Sequence, residues 1–275
     1  MAAAIRKSYT DGRHGQLHCR GVYPDDAERP SVVCLHMSPK SGRGYHELLP
    51  ELAADGRIAI APDYPGHGES YLPADEPPVT IEDFAAAVWE VIDDRIGTAP
   101  VHLVGYHTGS MVAIEAARQR PEDVLGIVNI AAPKFTDEEL AVMVNYFQPI
   151  PIDEEGTRFR ILWERIMKHR GPGMTLQMAA DSMAENLRAG DLYECGHMAA
   201  FAYAPRYVGH LAETPHPLLV MNPRDDTFEA TQRIDPHIRN GRRVDFPDWG
   251  HGFLNVWPRE AAGVMLEFFR EVEAS

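Results

Sequence analysis

The stretch Val101-His-Leu-Val-Gly-Tyr-His-Thr-Gly-Ser110 runs from a short apolar segment straight into a helical pattern, and it does so through Gly105, His107 and Gly109. A sharp strand-to-helix turn holds its central residue in a strained conformation and brings neighbouring backbones close together, so it needs small residues on either side. The two glycines meet that need. The side chain of His107 is therefore expected to be pushed out above the end of the strand.

Around this turn, short runs rich in Val and Ile recur at residues 31–36, 57–62, 101–105, 124–131, 217–221 and 243–246. Such runs, separated by helical patterns, mark alternating strands and crossover helices around a parallel sheet. Two weaker runs at 6–10 and 16–22, joined through Asp11, Gly12 and Gly15, read as an antiparallel hairpin. The pattern predicts an α/β fold with a doubly wound, mostly parallel, eight-stranded sheet. Thr80 and Asp83 form a capping-box start for a helix carrying Phe84, Val88 and Ile92 on one face, ended by Gly97. A C-terminal helix opens at Pro258 and aligns Met265, Phe269 and Val272.

Between 134 and 213 the strand pattern gives way to helical stretches near 138–147, 157–168 and 175–188, with Pro149, Pro151 and the 171–173 segment as breaks. This predicts a helical lid, 134–213, inserted into a core made of 1–133 and 214–275. The chain has 275 residues, 44% of them hydrophobic and 24% charged, with a formal net charge of −15. That balance suits one sizeable globular core and repels phosphate backbones and anionic lipid, so no nucleic-acid or membrane partner is expected. Residues 1–10 hold no apolar leader segment, no stretch has the length of a membrane span, and three scattered cysteines make no disulfide framework. A cytoplasmic location is expected, and the oligomeric state is left open.

Several segments carry a resemblance. Gly105-Tyr106-His107-Thr108-Gly109 resembles the G-x-S-x-G nucleophile elbow of α/β hydrolases, with histidine in the serine slot. Asp63-Tyr-Pro-Gly-His-Gly-Glu-Ser70 is similar to the family's D-x-x-G-x-G-x-S loop, and Leu35-His-Met-Ser-Pro39 to its H-G-x-P oxyanion loop, with Met37 replacing the glycine. Downstream, Leu218-Leu-Val-Met-Asn-Pro-Arg-Asp-Asp226 resembles the strand and loop that deliver the family's acid, where the spacing favours Asp226 over Asp225. Gly250-His251-Gly252 resembles the loop of its catalytic histidine. The resemblance implies His107, Asp226 and His251 as the catalytic trio, the N–H groups of Ser38 and Thr108 as the oxyanion hole, and neither cofactor nor metal.

Histidine at the elbow removes the usual hydroxyl. If Asp226 pairs with His251 and stabilises its charge, a second imidazole nearby is expected to titrate low, leaving His107 a neutral base that activates water or takes a substrate proton. Direct attack by the imidazole is also open. Ser110, one turn into the helix, is expected to pack against the sheet. The chemistry fits hydrolysis of an ester, thioester, lactone or carbon–carbon bond, or an acid-base lyase or isomerase step. A ligand-binding pseudo-enzyme or receptor is the alternative of a different class. A facial metal triad of His107, His251 and Asp226 is disfavoured because the resemblance puts Asp226 behind His251.

For substrate contacts the sequence offers His36 and Tyr106 from the core, and Trp163, His197, Phe201 and Tyr203 from the inserted segment, beside Tyr146, Phe147, Met174 and Met178. Ordinary packing, and backbone hydrogen bonding for His36 and His67, is the competing reading of each. Together these residues favour a small, mostly apolar or aromatic substrate.

Overall fold

The computed structural model describes residues 4–71 and 79–275; residues 1–3 of the opening segment lie outside them. The strands are β1 (Arg6–Gly12), β2 (Gly15–Val22), β3 (Arg29–Leu35), β4 (Arg57–Pro62), β5 (Val101–Tyr106), β6 (Val124–Ile130), β7 (Leu218–Pro223) and β8 (Gly241–Phe246). They form one sheet in the order β1-β2-β4-β3-β5-β6-β7-β8. Pairing is antiparallel at β1–β2 and β2–β4 and parallel at the other contacts. The predicted α/β architecture and the mostly parallel eight-stranded sheet are therefore observed, with β5 central and buried on both faces.

The helices are α1 (Leu48–Ala53), α2 (Ile81–Arg95), α3 (Thr108–Gln119), α4 (Asp137–Tyr146), α5 (Thr157–His169), α6 (Leu176–Arg188), α7 (Cys195–Glu213), α8 (Phe228–Gln232), α9 (Phe253–Val256) and α10 (Pro258–Glu273). Thr80 and Asp83 make the reciprocal capping box that starts α2. One apolar layer packs α2, α3 and the second half of α7 against the sheet through Phe84, Val88, Val112, Tyr207 and Leu211. The opposite layer packs α1, α9 and α10 through Leu48, Leu52, Phe253, Met265 and Phe269. Fully buried Arg57 pins the C-terminal helix: its guanidinium donates to Asp55, to the Pro30 carbonyl and to both oxygens of Glu273.

Helices α4 to α7 all fall between β6 and β7, where the strand pattern of the sequence disappears. The sequence reading named three helices there. The fourth, α7, carries Pro205 inside it, which obscures the helical pattern. Among the described residues no helix is long and apolar enough to cross a membrane.

Candidate active site

His107 sits at the junction of β5 and α3 with φ 49° and ψ −110°, a conformation that non-glycine residues rarely adopt. The flanking glycines are dictated by contact. A Cβ on Gly105 would stand 2.1 Å from the Gly109 carbonyl oxygen, and one on Gly109 would stand 1.9 Å from the carbonyl oxygen of Leu35. Both are far inside van der Waals contact, so the turn closes only without those side chains. The His107 N–H donates to the Ile130 carbonyl at 3.0 Å, anchoring the turn to β6. Ser110 is fully buried, its hydroxyl 3.0 Å from the carbonyl oxygens of both Gly105 and Ile130. It faces the sheet and presents no free hydroxyl.

The loop after β7 brings two carboxylates to this turn. His107 Nε2 is 2.8 Å from Asp225 Oδ2, while Asp225 Oδ1 accepts from the Thr227 N–H at 2.9 Å and the Thr227 hydroxyl at 2.8 Å. His251 Nε2 is 2.7 Å from Asp226 Oδ1. The two imidazole centroids are 5.5 Å apart. The structure thus pairs Asp226 with His251, as the spacing favoured, and gives Asp225 a partner the sequence did not assign, His107. Consecutive residues in this loop send their carboxylates to different histidines.

That second pair also reverses the expectation that His107 titrates low. Burial opposes charge on the imidazole, but the charge and hydrogen bond of Asp225, with Asp226 beyond, outweigh it, and the His107 pKa is raised. Asp225 is likewise pushed up by burial and held low on balance by His107. Its side chain is closed to solvent, whereas those of His107, His251 and Asp226 keep 19%, 22% and 28% accessibility.

Ser38 follows β3 and Thr108 opens α3; both border the cavity above the turn, and the Ser38 N–H donates to Thr108 Oγ1 at 3.4 Å. His36 also borders it, yet its Nδ1 meets the Met37 carbonyl at 2.9 Å and its Nε2 accepts the Tyr64 N–H at 3.1 Å. With both ring nitrogens used by backbone, His36 supports the loop while its ring borders the cavity. His67, pushed down to about 3 by burial, bonds the Pro65 carbonyl.

The cavity has a volume of about 690 Å³. Tyr106, His197 and Phe201 line it. Trp163 and Tyr203 do not, and these two expectations are corrected. On α5 the inward face is Leu162, Ile166 and His169, and Trp163 is turned about 100° from Leu162. Tyr203 is buried on the core side of α7, its hydroxyl donating to Glu115 at 2.8 Å.

The sequence reading missed His169, whose ring centroid lies 6.0 Å from that of His251. Arg170 bridges to His251 in a parallel backbone pairing, and a Cβ on Gly171 would come within 2.4 Å of the His251 carbonyl oxygen. It also missed the partners of His197: His197 Nδ1 meets Glu194 Oε2 at 2.5 Å, and Arg165 joins Glu194 at 3.2 Å while stacking on Tyr146. Cavity walls are invisible to short-range patterns because they are assembled from segments distant in sequence. As for ligation, one donor atom from each of His107, Asp225, Asp226 and His251 lies within 4.8 Å of each of the others.

A paired histidine and carboxylate at a strand-to-helix turn, under a cavity and on this sheet order, can be compared with known proteins. Residues 30–254 match the family described as alpha/beta hydrolase fold. The chain belongs to the α/β-hydrolase family. Proline iminopeptidase of Lactobacillus helveticus is 31% identical over 144 residues, 50% of this chain and 48% of that protein; the chain thus spans about half the length of that curated relative. Among solved structures, the esterase of Exiguobacterium antarcticum superposes with TM-score 0.77 at 17% identity, covering 96% of this α/β hydrolase and all of that chain. A variant of the N-acyl homoserine lactonase AidH with N-hexanoyl homoserine gives TM-score 0.76 at 21% identity, covering 98% of each chain. At these identities the superpositions speak for the fold alone.

Proposed function

We propose that this α/β hydrolase cleaves an ester, lactone or carbon–carbon bond in a small apolar or aromatic substrate, with His107 standing where the family keeps its nucleophilic serine. The observation that carries the reading is His107 itself: strained into the turn, opening on the cavity and backed by Asp225. With Ser110 committed to two carbonyls, no serine at the turn is free to form an acyl-enzyme. Water is then the reacting nucleophile, delivered by the cluster of His107, Asp225, Asp226 and His251, while the N–H groups of Ser38 and Thr108 polarise the scissile carbonyl. The family match over residues 30–254 and the curated relative named as a proline iminopeptidase support the hydrolase class. Helices α4 to α7 act as the lid, their Phe147, Phe201 and His197 giving the cavity its aromatic wall.

The test is a screen of activated esters, lactones and carbon–carbon substrates in 18O-labelled water, with wild type and His107→Ala, beside fluorophosphonate labelling. Wild type resists the label and places water oxygen in the product. His107→Ala loses roughly a hundred- to ten-thousand-fold in kcat/KM. His107→Ser regains labelling, because Asp226 and His251 already stand as a pair. Labelling of wild-type Ser110 overturns the reading. Ligand affinity untouched by His107→Ala, with no turnover, makes the chain a binding protein, and product without solvent oxygen makes it a lyase.

A further inference from the structure

We propose that His107, Asp225, Asp226 and His251 form the binding site of one divalent first-row transition-metal ion at the cavity floor. The inference rests on the reading of this cluster as the reacting centre and gives that centre a metal dependence.

The spacing carries it first. One donor atom from each residue lies within 4.8 Å of the other three. Donors bonded to one ion at about 2.0–2.2 Å stand about 3.3–3.6 Å apart in a tetrahedral set, so the quartet closes on an ion with side-chain shifts of about an ångström. Two independent imidazole–carboxylate pairs have no need to converge, and the two carboxylates repel one another when brought together. A cation shared by all four relieves that repulsion.

The surroundings are those of a held ligand set. Asp225 Oδ1 is fixed by the N–H and hydroxyl of Thr227, which leaves Oδ2 aimed at His107. The His251 loop is held from the roof by the Gly171 N–H on its carbonyl at 3.2 Å and by the Arg170 bridge. Such supporting bonds orient the side chains that coordinate metals. His107, His251 and Asp226 remain partly open to the cavity, so coordination positions stay available to water or substrate, as catalytic sites require. Two imidazoles with two carboxylates suit Zn(II), Fe(II), Co(II) or Mn(II) better than Mg(II) or Ca(II), which prefer all-oxygen cages. The elbow histidine gains a physical reason: it supplies a nitrogen ligand where serine supplies a weak one. An ion here acidifies a bound water facing the cavity.

The experiment strips the full-length protein with a chelator and titrates it with Zn(II), Mn(II) and Co(II). Calorimetry gives the stoichiometry, and the visible absorption of Co(II) reports its coordination. One ion per chain binds with a micromolar or tighter Kd, and His107→Ala and Asp226→Asn each weaken it by about a hundredfold or more. Circular dichroism checks that each variant is folded; if His107→Ala is not, Asp226→Asn and Asp225→Asn decide. No binding at millimolar ion, or binding unchanged in folded variants, overturns the proposal. Stripped protein that binds no ion yet hydrolyses at the untreated rate removes the metal and keeps the hydrolase. A 1:1 ion lost in the variants, in a protein that turns over none of the screened substrates, keeps the metal site and removes the hydrolase.

Discussion

His107 Nε2 stands 2.8 Å from Asp225 Oδ2, and the carboxylate behind it is closed to solvent. The elbow histidine thus has its own acid, as His251 has Asp226, and the two pairs are not interchangeable. Asp225→Asn keeps an oxygen for the two Thr227 donors and turns its NH2 toward His107 Nε2, so that nitrogen must switch from donor to acceptor. We expect kcat/KM to fall at least a hundredfold with the melting temperature within a few degrees of wild type. Kinetics on the best substrate from the screen, beside a thermal melt, check this; undiminished turnover removes Asp225 from the machinery.

Much of this was legible in the sequence, and the failures have physical causes. The strands could be read because buried parallel strands are continuous apolar runs, and β5 is buried at all six positions. The turn could be read because Gly105 and Gly109 leave a mark wherever backbones touch. Asp225 was passed over because spacing cannot say which way two adjacent loop carboxylates point. Trp163 was misjudged by one position in helical phase, and Tyr203 because a buried aromatic reads alike whether it faces a cavity or a core. His169 reaches His251 only through the Arg170 pairing, which joins segments some eighty residues apart.

The turn should be intolerant of any added carbon. Gly109→Ala places a methyl 1.9 Å from the Leu35 carbonyl oxygen, on a strand that pairs with β4 and β5 and has nowhere to retreat. The expected cost is about 3 kcal/mol or more, a fall in melting temperature of roughly 6–12 °C. Ser110→Ala removes a hydroxyl without adding volume and is expected to cost about 1–2 kcal/mol. Calorimetric melts of the two variants measure the difference, and a Gly109→Ala protein as stable as Ser110→Ala contradicts the contact argument.

Arg57 holds the far end of the molecule. Its side chain has no accessible surface and is shared among Asp55, Glu273 and the Pro30 carbonyl. Arg57→Met removes one partner of a buried ionic network and leaves carboxylates facing an apolar neighbour. The expected loss is about 3–5 kcal/mol by urea denaturation. Because the network lies at the β3–β4–α10 edge, turnover measured well below the melting point should stay near wild type. A large fall in kcat with unchanged stability contradicts this placement.

Lys40 gives a pH signature on the wall of the cavity. Its ammonium ties the loop after β3 to α6, donating to the Ser182 carbonyl at 2.8 Å, the Ser182 hydroxyl at 2.5 Å and Asn186 Oδ1 at 2.5 Å. Burial pushes its pKa down to about 7 against the opposing charge of Glu185, which itself meets Arg43, Arg188 and the Ser41 hydroxyl. Between about 7 and the ordinary lysine value of about 10.5, the unfolded chain binds the proton that the folded chain has released, so stability gains with rising pH across that window. Below pH 7 both states are protonated and the contribution is flat. Wild type measured against Lys40→Met should therefore gain relative stability from pH 7 to 9, by at most about 1 kcal/mol per pH unit after solvent screening. Urea denaturation of both proteins at pH 6, 7, 8 and 9 reads the slope directly. A difference that is flat above pH 7, or that falls, means Lys40 keeps its charge in the fold and is held by its three acceptors as an ammonium.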